Sequence, residues 1–183
     1  MQIKKTFIKN LIVLLPDVFG DSRGWFYESY NKQKFSEIGL GMEFIQDNHS
    51  LSIPKYTVRG IHYQNYPYAQ SKLVRCVRGK IFDVAVDLRK NSPTYCRWYG
   101  IELSAENKKQ LFIPKGFGHV FMTLEDNCEV CYKVDAPYNK ESEGNIIWND
   151  KKINIIWPCD VKNVILSEKD KIAPNIEQCN CNF

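Results

Sequence analysis

Four side chains of the types that bind anions and exchange protons lie between residues 58 and 89: Arg59, His62, Lys72 and Asp83. The segments that carry them alternate apolar and polar residues, which is typical of strands that face a core. Charged residues on such strands indicate a lined pocket. The alternative is a half-solvated hairpin whose charges simply meet water, and this stretch alone leaves both interpretations open.

The elements that must position these side chains are two predicted strands, 72–77 and 81–88, joined as a hairpin at Gly79. Glycine supplies the positive φ angle that a tight turn favours. Alternate residues of the second strand fall on opposite faces. One face is apolar and dry, whereas the other carries Asp83 and Asp87.

The register of this hairpin decides where Lys72 points. Pairing Arg78 with Ile81 places Lys72 opposite Asp87, on the face that Asp83 shares. Moving the pairing by one residue turns the lysine to the apolar face, where an unpaired charge is unfavourable. We therefore expect Lys72 to share a pocket with both acids.

Length and charge restrict the class of protein. A chain of 183 residues fits one domain, residues 1–183, and is long enough to bury a core without disulfides. Its net charge of +4 is too small for a protein that tracks the phosphates of a nucleic acid, but suits a small phosphate-bearing ligand. The apolar run 11–15 is too short for a signal peptide or a membrane span. We expect a cytoplasmic protein that binds neither nucleic acid nor membrane.

The seven cysteines do not resemble a secreted disulfide framework and are interpreted as reduced thiols. Cys128 and Cys131 form a C-x-x-C pattern, but the stretch around them alternates like a strand. Residues three apart on a strand point to opposite faces, so these two cannot hold one metal ion. Cys179 and Cys181 lie in a polar stretch and have no predicted role.

The remaining elements are mostly short strands. Residues 17–30 predict two strands around a Gly-rich turn, and 32–38 predict a short helix that ends at Gly39. Residues 44–52 predict a further strand that runs into a polar turn. Later predicted strands are aromatic or β-branched and are separated by turn residues: 98–103, 110–113, 120–123, 128–134, 146–148 and 153–157. Many short strands without helical alternation or a repeat predict an all-β sandwich or barrel.

A second group of residues that could take part in catalysis or binding lies at 113–121. Pro114 and Gly116 form a turn that leads into a strand beginning with His119, which would deliver an imidazole to the mouth of a barrel. His62 enters its own strand in the same manner. Two such histidines in a small barrel are expected to share a cavity.

The pattern Pro114-x-Gly116-x-x-His119 resembles the second motif of the cupins, and nearly the whole chain resembles the dTDP-4-dehydrorhamnose 3,5-epimerases. The matching residues follow the family's order: Phe19-x-Asp21-x-Arg23-Gly24-x-Phe26-x-Glu28, Gln46-Asp47-Asn48-x-Ser50, Val58-Arg59-Gly60-Ile61-His62-x-Gln64, Lys72-Leu73-Val74-Arg75, Asp83-Val84-Ala85-Val86-Asp87-x-Arg89, Leu103-Ser104-x-Glu106-Asn107, Ile113-Pro114-x-Gly116-Phe117, Tyr132-Lys133, Trp148-Asn149-Asp150 and Leu166-Ser167-x-Lys169-Asp170. Their order and number make the resemblance strong.

The resemblance implies a cupin-type jelly roll with a few short helices, dimeric, with N-terminal strands that reach into the partner. The implied reaction inverts C3 and C5 of a 4-keto-6-deoxy sugar on a nucleotide diphosphate, from dTDP-4-dehydro-6-deoxyglucose to dTDP-4-dehydro-rhamnose. Neither a metal nor an organic cofactor is implied. The substrate and a second copy of the chain are therefore the expected partners.

The resemblance also implies the catalytic residues. His62 would be the base and Tyr132 the acid. Lys72 would stabilise the enolate oxygen, and Asp170 or Asp83 would hold the imidazole in one tautomer. These types suit the chemistry, because a proton α to a ketone is weakly acidic and its removal needs a base of near-neutral pKa.

The implied substrate site is larger. Arg23 and Arg59 would contact the diphosphate, to which a bidentate guanidinium is well suited. Other residues would flank the base and ribose or complete the lining: Phe19, Gln46, Asn48, Tyr138, Glu28, Asp83, His119, Glu143 and Lys169. The family commonly has glycine where this chain has Val120, and a β-branched residue beside His119 is expected to narrow the cavity.

Other functions remain open at this level. A related epimerase would invert only C3 or only C5, or would act on a GDP-linked sugar. A metal-dependent cupin normally gathers about three histidines and a carboxylate, but Tyr63 and Gln64 stand where a second histidine of the first motif would be. A non-catalytic sugar-binding module would not need Lys72, His62 and Tyr132 together.

Overall fold

Two antiparallel sheets face each other in this protein. A computed structural model describes residues 1–183, apart from the side chain of residue 161. In the described part, the first sheet has six strands in the order β1-β2-β10-β7-β12-β5, and the second has five in the order β13-β6-β11-β8-β9. Strands β3 and β4 form a separate two-stranded hairpin. This is the jelly-roll architecture that the sequence predicted.

The elements have the following bounds. The strands are β1 Gln2–Lys5, β2 Ile12–Leu15, β3 Phe19–Asp21, β4 Gly24–Phe26, β5 Gln46–Ser52, β6 Val58–Gln64, β7 Lys72–Arg78, β8 Lys80–Asp87, β9 Trp98–Ser104, β10 Gln110–Ile113, β11 Phe117–Thr123, β12 Cys128–Val134 and β13 Glu143–Asn145. The helices are α1 Lys32–Glu37 and α2 Glu168–Lys171, with 3-10 turns at Lys140–Ser142 and Val161–Asn163.

Helix α1, predicted over 32–38, extends from Lys32 to Glu37. The side chain of Asn31 caps its N-terminus by accepting a hydrogen bond from the Lys34 amide. Gly39 has a φ angle of 83° just beyond the C-terminus. Phe35 is buried with Leu14 and other apolar residues on the outer face of the six-stranded sheet. Full burial of such a side chain stabilises the fold by about 2 kcal/mol, so packing holds this short helix in place.

The predicted hairpin of 72–77 and 81–88 is wrong. Strand β7 pairs with β10 and β12 in the six-stranded sheet, whereas β8 pairs with β9 and β11 in the other. The chain crosses between the sheets at Gly79, whose φ angle is 72°. A Cβ atom on this glycine would lie 2.8 Å from Sγ of Cys128. The glycine was correctly predicted to have a positive φ, but it turns a corner of the sandwich instead of closing a hairpin.

The alternative of a half-solvated hairpin is excluded, because both faces of β8 are buried. Ile81 and Ala85 belong to the core between the two sheets. Val84 and Val86 pack on the outer face, against a layer formed by later parts of the chain. Asp83 is fully buried in the same strand, so its carboxylate needs a partner inside the protein.

In that outer layer the sequence analysis also predicted strands where the chain is irregular. The predicted strand 146–148 is irregular and directly follows β13, and 153–157 is irregular throughout. Ile153 and Ile155 are nevertheless buried, because the apolar residues cover the sheet without pairing as strands. Helix α2 was not predicted by the sequence. Among the described residues, no helix combines the length and the apolar character that crossing a bilayer requires.

Candidate active site

A cavity of about 360 Å³ opens between the two sheets. Its walls come from both sheets and from the loop that leads into α2. The lining residues are Ser50, Thr57, Val58, Arg59, His62, Lys72, His119, Phe121, Tyr132, Ile165, Leu166, Ser167 and Asp170. A concave site of this size that holds several titratable groups is a natural place for chemistry on a small molecule.

His62 and Asp170 form a hydrogen-bonded pair in one wall, with 2.6 Å between His62 Nε2 and Asp170 Oδ1. His62 projects from β6, and its side chain remains 34% exposed, whereas that of Asp170 is 3% exposed. The imidazole can therefore reach a ligand while the carboxylate orients it.

The position of Asp170 depends on how α2 is attached. Ile165 exchanges backbone hydrogen bonds with Tyr56 and Val58 at the start of β6. Ser167 caps α2 by accepting from the Asp170 amide at 3.2 Å. Burial raises the pKa of the Asp170 carboxyl, but hydrogen bonds and the charge of His62 outweigh this effect and bring the pKa below its ordinary value. Asp170 is therefore ionised at neutral pH.

Lys72 lies in the opposite wall, at the start of β7. Its ammonium group is 5.7 Å from the centroid of the Tyr132 ring. Burial lowers its pKa to about 8, although the negative charges of Asp83 and Glu143 partly offset the shift. Asp83 is thus near enough for its charge to act on Lys72, but it is fully buried and does not line the cavity, so the prediction that Lys72 shares the pocket with this acid is only partly met.

Asp87 does not belong to this pocket, contrary to the prediction. Its carboxylate accepts hydrogen bonds from Arg89, Ser92 and Thr94 in the loop that follows β8. These bonds and the positive charge keep its pKa below the ordinary value despite burial. Asp87 therefore stabilises a loop.

Tyr132 stands beside Lys72 on the neighbouring strand β12, where it faces Val74 across the pairing. Burial raises the pKa of its hydroxyl, and the positive charge of Arg59 only partly opposes this. The phenol therefore keeps its proton at neutral pH and is available as an acid.

His119 pairs with Asp83 beneath the cavity, with 2.7 Å between Nε2 and Oδ1 and both side chains buried. His119 also lies directly opposite His62 in the pairing of β11 with β6. The two histidines thus share a cavity, as the sequence predicted. The strands approach closely here because residue 60 is glycine, at which a Cβ atom would lie 2.4 Å from the carbonyl oxygen of His119.

The mouth of the cavity is charged. Arg59 donates to Ser52 Oγ at 2.9 Å and to the Leu51 carbonyl at 3.0 Å. Lys169 Nζ is 2.6 Å from Glu143 Oε1, and the Tyr138 hydroxyl donates to Glu143 Oε2 at 3.2 Å. These three predicted binding residues do not line the cavity itself.

Gln46 and Asn48 lie on β5 beside Tyr132, and Gln46 Nε2 donates to Asn48 Oδ1 at 2.9 Å. They stand next to the wall that carries the tyrosine, without lining the cavity itself. The two amides are thus close enough to belong to a larger ligand site that extends from the cavity.

Three further predicted binding residues also lie outside the cavity of their own chain, in or near the β3–β4 hairpin. Phe19 and Arg23 belong to the β3–β4 hairpin, where Phe19 is 67% exposed and Arg23 is 88% exposed and paired with Asp21. Glu28 forms an ion pair with Lys34 of helix α1. A concavity of about 400 Å³ at the hairpin is lined by hairpin residues alone.

Several lining residues were missed by the sequence analysis. Phe121 and Ser50 follow His119 and Asn48 by two positions, so the alternation of a strand could have found them. The loop 165–167 carried no such signal. The expectation that Val120 narrows the cavity is wrong, because it points to the outer core of the five-stranded sheet and is fully buried there.

No group of three or more His, Cys, Asp or Glu side chains in the described part of the chain is arranged to hold a metal ion. Cys128 is buried in the core between the sheets, whereas Cys131 is half-buried on the other face of β12. The prediction that the C-x-x-C residues point to opposite faces is confirmed.

A jelly roll with proton-transfer groups on both walls of its central cavity defines a cupin-type enzyme of acid/base chemistry. Comparison with known proteins specifies the family. Residues 5–178 match the family described as dTDP-4-dehydrorhamnose 3,5-epimerase, and the chain belongs to this family.

Individual relatives support this family assignment. A dTDP-4-dehydrorhamnose 3,5-epimerase of Shigella flexneri is 54% identical over 171 residues, which cover 93% of each chain. The crystal structure of the enzyme so named from Elizabethkingia anophelis NUHP1 is 48% identical, with a TM-score of 0.92 and 97% of each chain covered. A dTDP-6-deoxy-D-glucose-3,5-epimerase from Legionella pneumophila, solved in complex with dTDP-4-keto-L-rhamnose, is 42% identical, with a TM-score of 0.92 over 97% of this chain and 93% of that one.

Proposed function

We propose that this protein inverts C3 and C5 of dTDP-4-dehydro-6-deoxyglucose to give dTDP-4-dehydro-rhamnose, without a metal or an organic cofactor. Family membership supports the activity. The assignment of roles rests on one observation: the proposed base and the proposed acid lie on facing sheets. His62 is on β6 of the five-stranded sheet, and Tyr132 is on β12 of the six-stranded sheet.

In the proposed mechanism, His62 removes the proton from C3, and the electron pair of that bond moves toward the 4-keto oxygen. The resulting enolate oxygen is stabilised by the Lys72 ammonium group, which burial keeps poorly solvated and therefore effective. Asp170 holds the His62 ring and stabilises the imidazolium that forms.

The second half of each inversion occurs on the opposite face of the ring. Tyr132 donates its proton to the carbon, and solvent then restores the proton of the tyrosine and removes that of the histidine. The cavity of about 360 Å³, which both His62 and Tyr132 line, provides the room for one sugar ring between the two groups. The same pair would act on C5, because that carbon is also α to the ketone.

The nucleotide diphosphate would lie toward Arg59 at the mouth. The exposed hairpin 19–26 supports a second part of the proposal, a homodimer in which Phe19, Arg23 and Glu28 complete the cavity of the partner. Exposed aromatic side chains at Phe19, Trp25 and Phe26 are typical of an interface. We assign the enzyme to the cytoplasm, which suits its seven free thiols.

The activity is tested with dTDP- and GDP-linked 4-keto-6-deoxyglucose in D2O, with deuterium at each carbon followed by NMR. We expect deuterium at both C3 and C5 and product from the dTDP sugar. Deuterium at only one carbon would indicate a single-carbon epimerase, and faster turnover of the GDP sugar would overturn the proposed donor. Exchange at neither carbon with either sugar would refute the activity.

The dimer is tested by mixing two inactive variants, Arg23→Ala and His62→Ala, at a substrate concentration below KM. If Arg23 serves the partner's cavity, a mixed dimer contains one intact site, and random exchange of subunits restores about one quarter of the wild-type rate. If Arg23 serves its own cavity, both sites of the mixed dimer are defective and no activity returns. Each variant alone is the control.

A further inference from the structure

Lys72 differs from the lysine at the mouth of the cavity because no carboxylate holds its nitrogen. Its side chain lines the cavity between the sheets, and its nitrogen lies 5.7 Å from the centroid of the Tyr132 ring. Within the residues that the structure describes, this nitrogen forms neither a hydrogen bond nor an ion pair. By contrast, Lys169 Nζ is 2.6 Å from Glu143 Oε1. The Lys72 nitrogen is therefore free to contact a molecule that enters the cavity.

The surroundings of Lys72 also leave part of its side chain unprotonated. An ammonium group is unfavourable away from water, so burial lowers the pKa of Lys72 from 10.5 to about 8, although the charges of Asp83 and Glu143 oppose the shift. At pH 7, a pKa of about 8 leaves about one tenth of the side chain as the neutral amine, compared with about 0.03% at the ordinary value. The neutral amine is the nucleophilic form. The charged remainder is still available for the enolate.

A proton donor stands beside this amine. Tyr132 lies on β12, the strand next to the β7 strand of Lys72, and it lines the same cavity. Burial raises the pKa of its hydroxyl, which therefore keeps its proton at neutral pH. When an amine adds to a carbonyl carbon, the hydroxyl group of the adduct needs a proton to leave as water. Tyr132 can supply that proton.

An anion-binding group stands at the mouth of the cavity. Arg59 lines the cavity and is exposed to solvent. Its Nε and Nη2 groups donate to Ser52 and to the Leu51 carbonyl, which orients the guanidinium. No carboxylate in the described part of the chain pairs with it, so its charge and its Nη1 group can bind a phosphate. A cavity of about 360 Å³ has room for a compound with one ring.

We propose that Lys72 is a modification site for phosphorylated aldehydes, which bind in the cavity with the phosphate at Arg59 and form an imine with the lysine nitrogen. The neutral amine attacks the aldehyde carbon, and the carbonyl oxygen becomes a hydroxyl group. This group takes a proton from Tyr132 and leaves as water, while the nitrogen forms a double bond to the carbon. One water molecule is released, nothing is oxidised or reduced, and solvent restores the proton of Tyr132.

The modification is tested with pyridoxal 5′-phosphate at pH 7, followed by reduction of the imine with sodium borohydride and peptide mapping by mass spectrometry. We expect one adduct per chain, on Lys72. The control within the same protein is Lys108, which also lies over an aromatic ring, 3.9 Å from the Trp25 centroid, but donates to the Ala105 carbonyl at 2.7 Å. Lys108 should be labelled at least about tenfold less than Lys72.

Two further comparisons test the geometry of the site. Pyridoxal, which lacks the phosphate, should label Lys72 at least about tenfold less than its phosphate ester at the same concentration, because the contact with Arg59 is lost. Arg59→Ala should lower labelling by the phosphate ester in the same way. Lys72→Met, checked for folding by circular dichroism, should take no adduct on any residue that lines the cavity.

Three results would overturn the proposal: the absence of an adduct on Lys72, labelling of Lys108 as readily as Lys72, or equal labelling of Lys72 by pyridoxal and its phosphate ester. None of these measurements requires catalysis. An active epimerase without the adduct would therefore overturn this proposal alone, whereas an adduct on an inactive protein would support it and count only against the proposed reaction.

Discussion

Replacing Tyr132 with phenylalanine should separate proton removal from inversion. The substitution keeps the ring, including its contact with Lys72 at 5.7 Å, and removes only the hydroxyl. The pair His62–Asp170, with its 2.6 Å hydrogen bond, lies on the opposite sheet and is not altered. Proton removal should therefore survive while proton delivery from the other face is lost.

The size of the expected effect on product formation and on deuterium exchange follows from the role of each group. A positioned general acid contributes about 10² to 10⁴-fold, so the formation of inverted product should fall by that factor. His62 can still take the C3 proton and return a solvent-derived one to the same face. Exchange of deuterium at C3 should therefore stay within about tenfold of the wild-type rate.

The assay incubates each variant with the 4-keto dTDP sugar in D2O and follows label and product by NMR. His62→Ala should abolish both exchange and product. Tyr68→Phe is the control, because the Tyr68 side chain is exposed and does not line the cavity, and it should change product formation by less than about tenfold. If Tyr132→Phe loses exchange as completely as His62→Ala, the two-sided mechanism is wrong.

Four further outcomes are expected. Because the pKa of Lys72 is about 8 in the folded protein, kcat/KM should fall as pH rises through 8 and the ammonium is lost; a flat profile to pH 10 would contradict its role. Asp170→Asn should lower kcat about 10²-fold or more while circular dichroism stays unchanged, whereas a wild-type rate would show that His62 needs no carboxylate. Prolonged treatment with EDTA should leave activity intact, and loss that Zn²⁺ or Fe²⁺ restores would refute the metal-free proposal. Val120→Gly should destabilise the fold by about 2 kcal/mol in urea unfolding without altering the ratio of C3 to C5 exchange, since Val120 faces the outer core.

The sequence alone determined the local features of this protein. The alternation along β8, the cap and stop of α1 and the positive φ of Gly79 are set by residues close in the chain. Opposite faces for Cys128 and Cys131 follow from the period of a strand. The residue types of the site could also be recognised from the sequence, because a histidine, a lysine and a tyrosine matched the motifs of one family in order.

Strand partners were decided only by the tertiary structure. The sequence suggested that β7 and β8 form a hairpin because they are adjacent, but each pairs with other strands. Strand β7 lies between β10 and β12, whereas β8 lies between β11 and β9, the strand that follows it in the chain. Hydrogen bonding between strands depends on which edges meet, and the pattern of one strand does not encode its partner. The proximity of Lys72 and Asp83 therefore arises across the sandwich.

The same limit applies to the site and its surroundings. His62 meets Asp170 across 108 positions of sequence, a contact that resemblance suggested but that no local pattern encodes. The apolar residues of 153–157 looked like a strand, yet they cover the outer face of a sheet, because burial alone stabilises them there. Side chains such as Arg23 lie outside their own cavity, and spacing along the chain could not indicate this, since position in the fold depends on all the packed elements together.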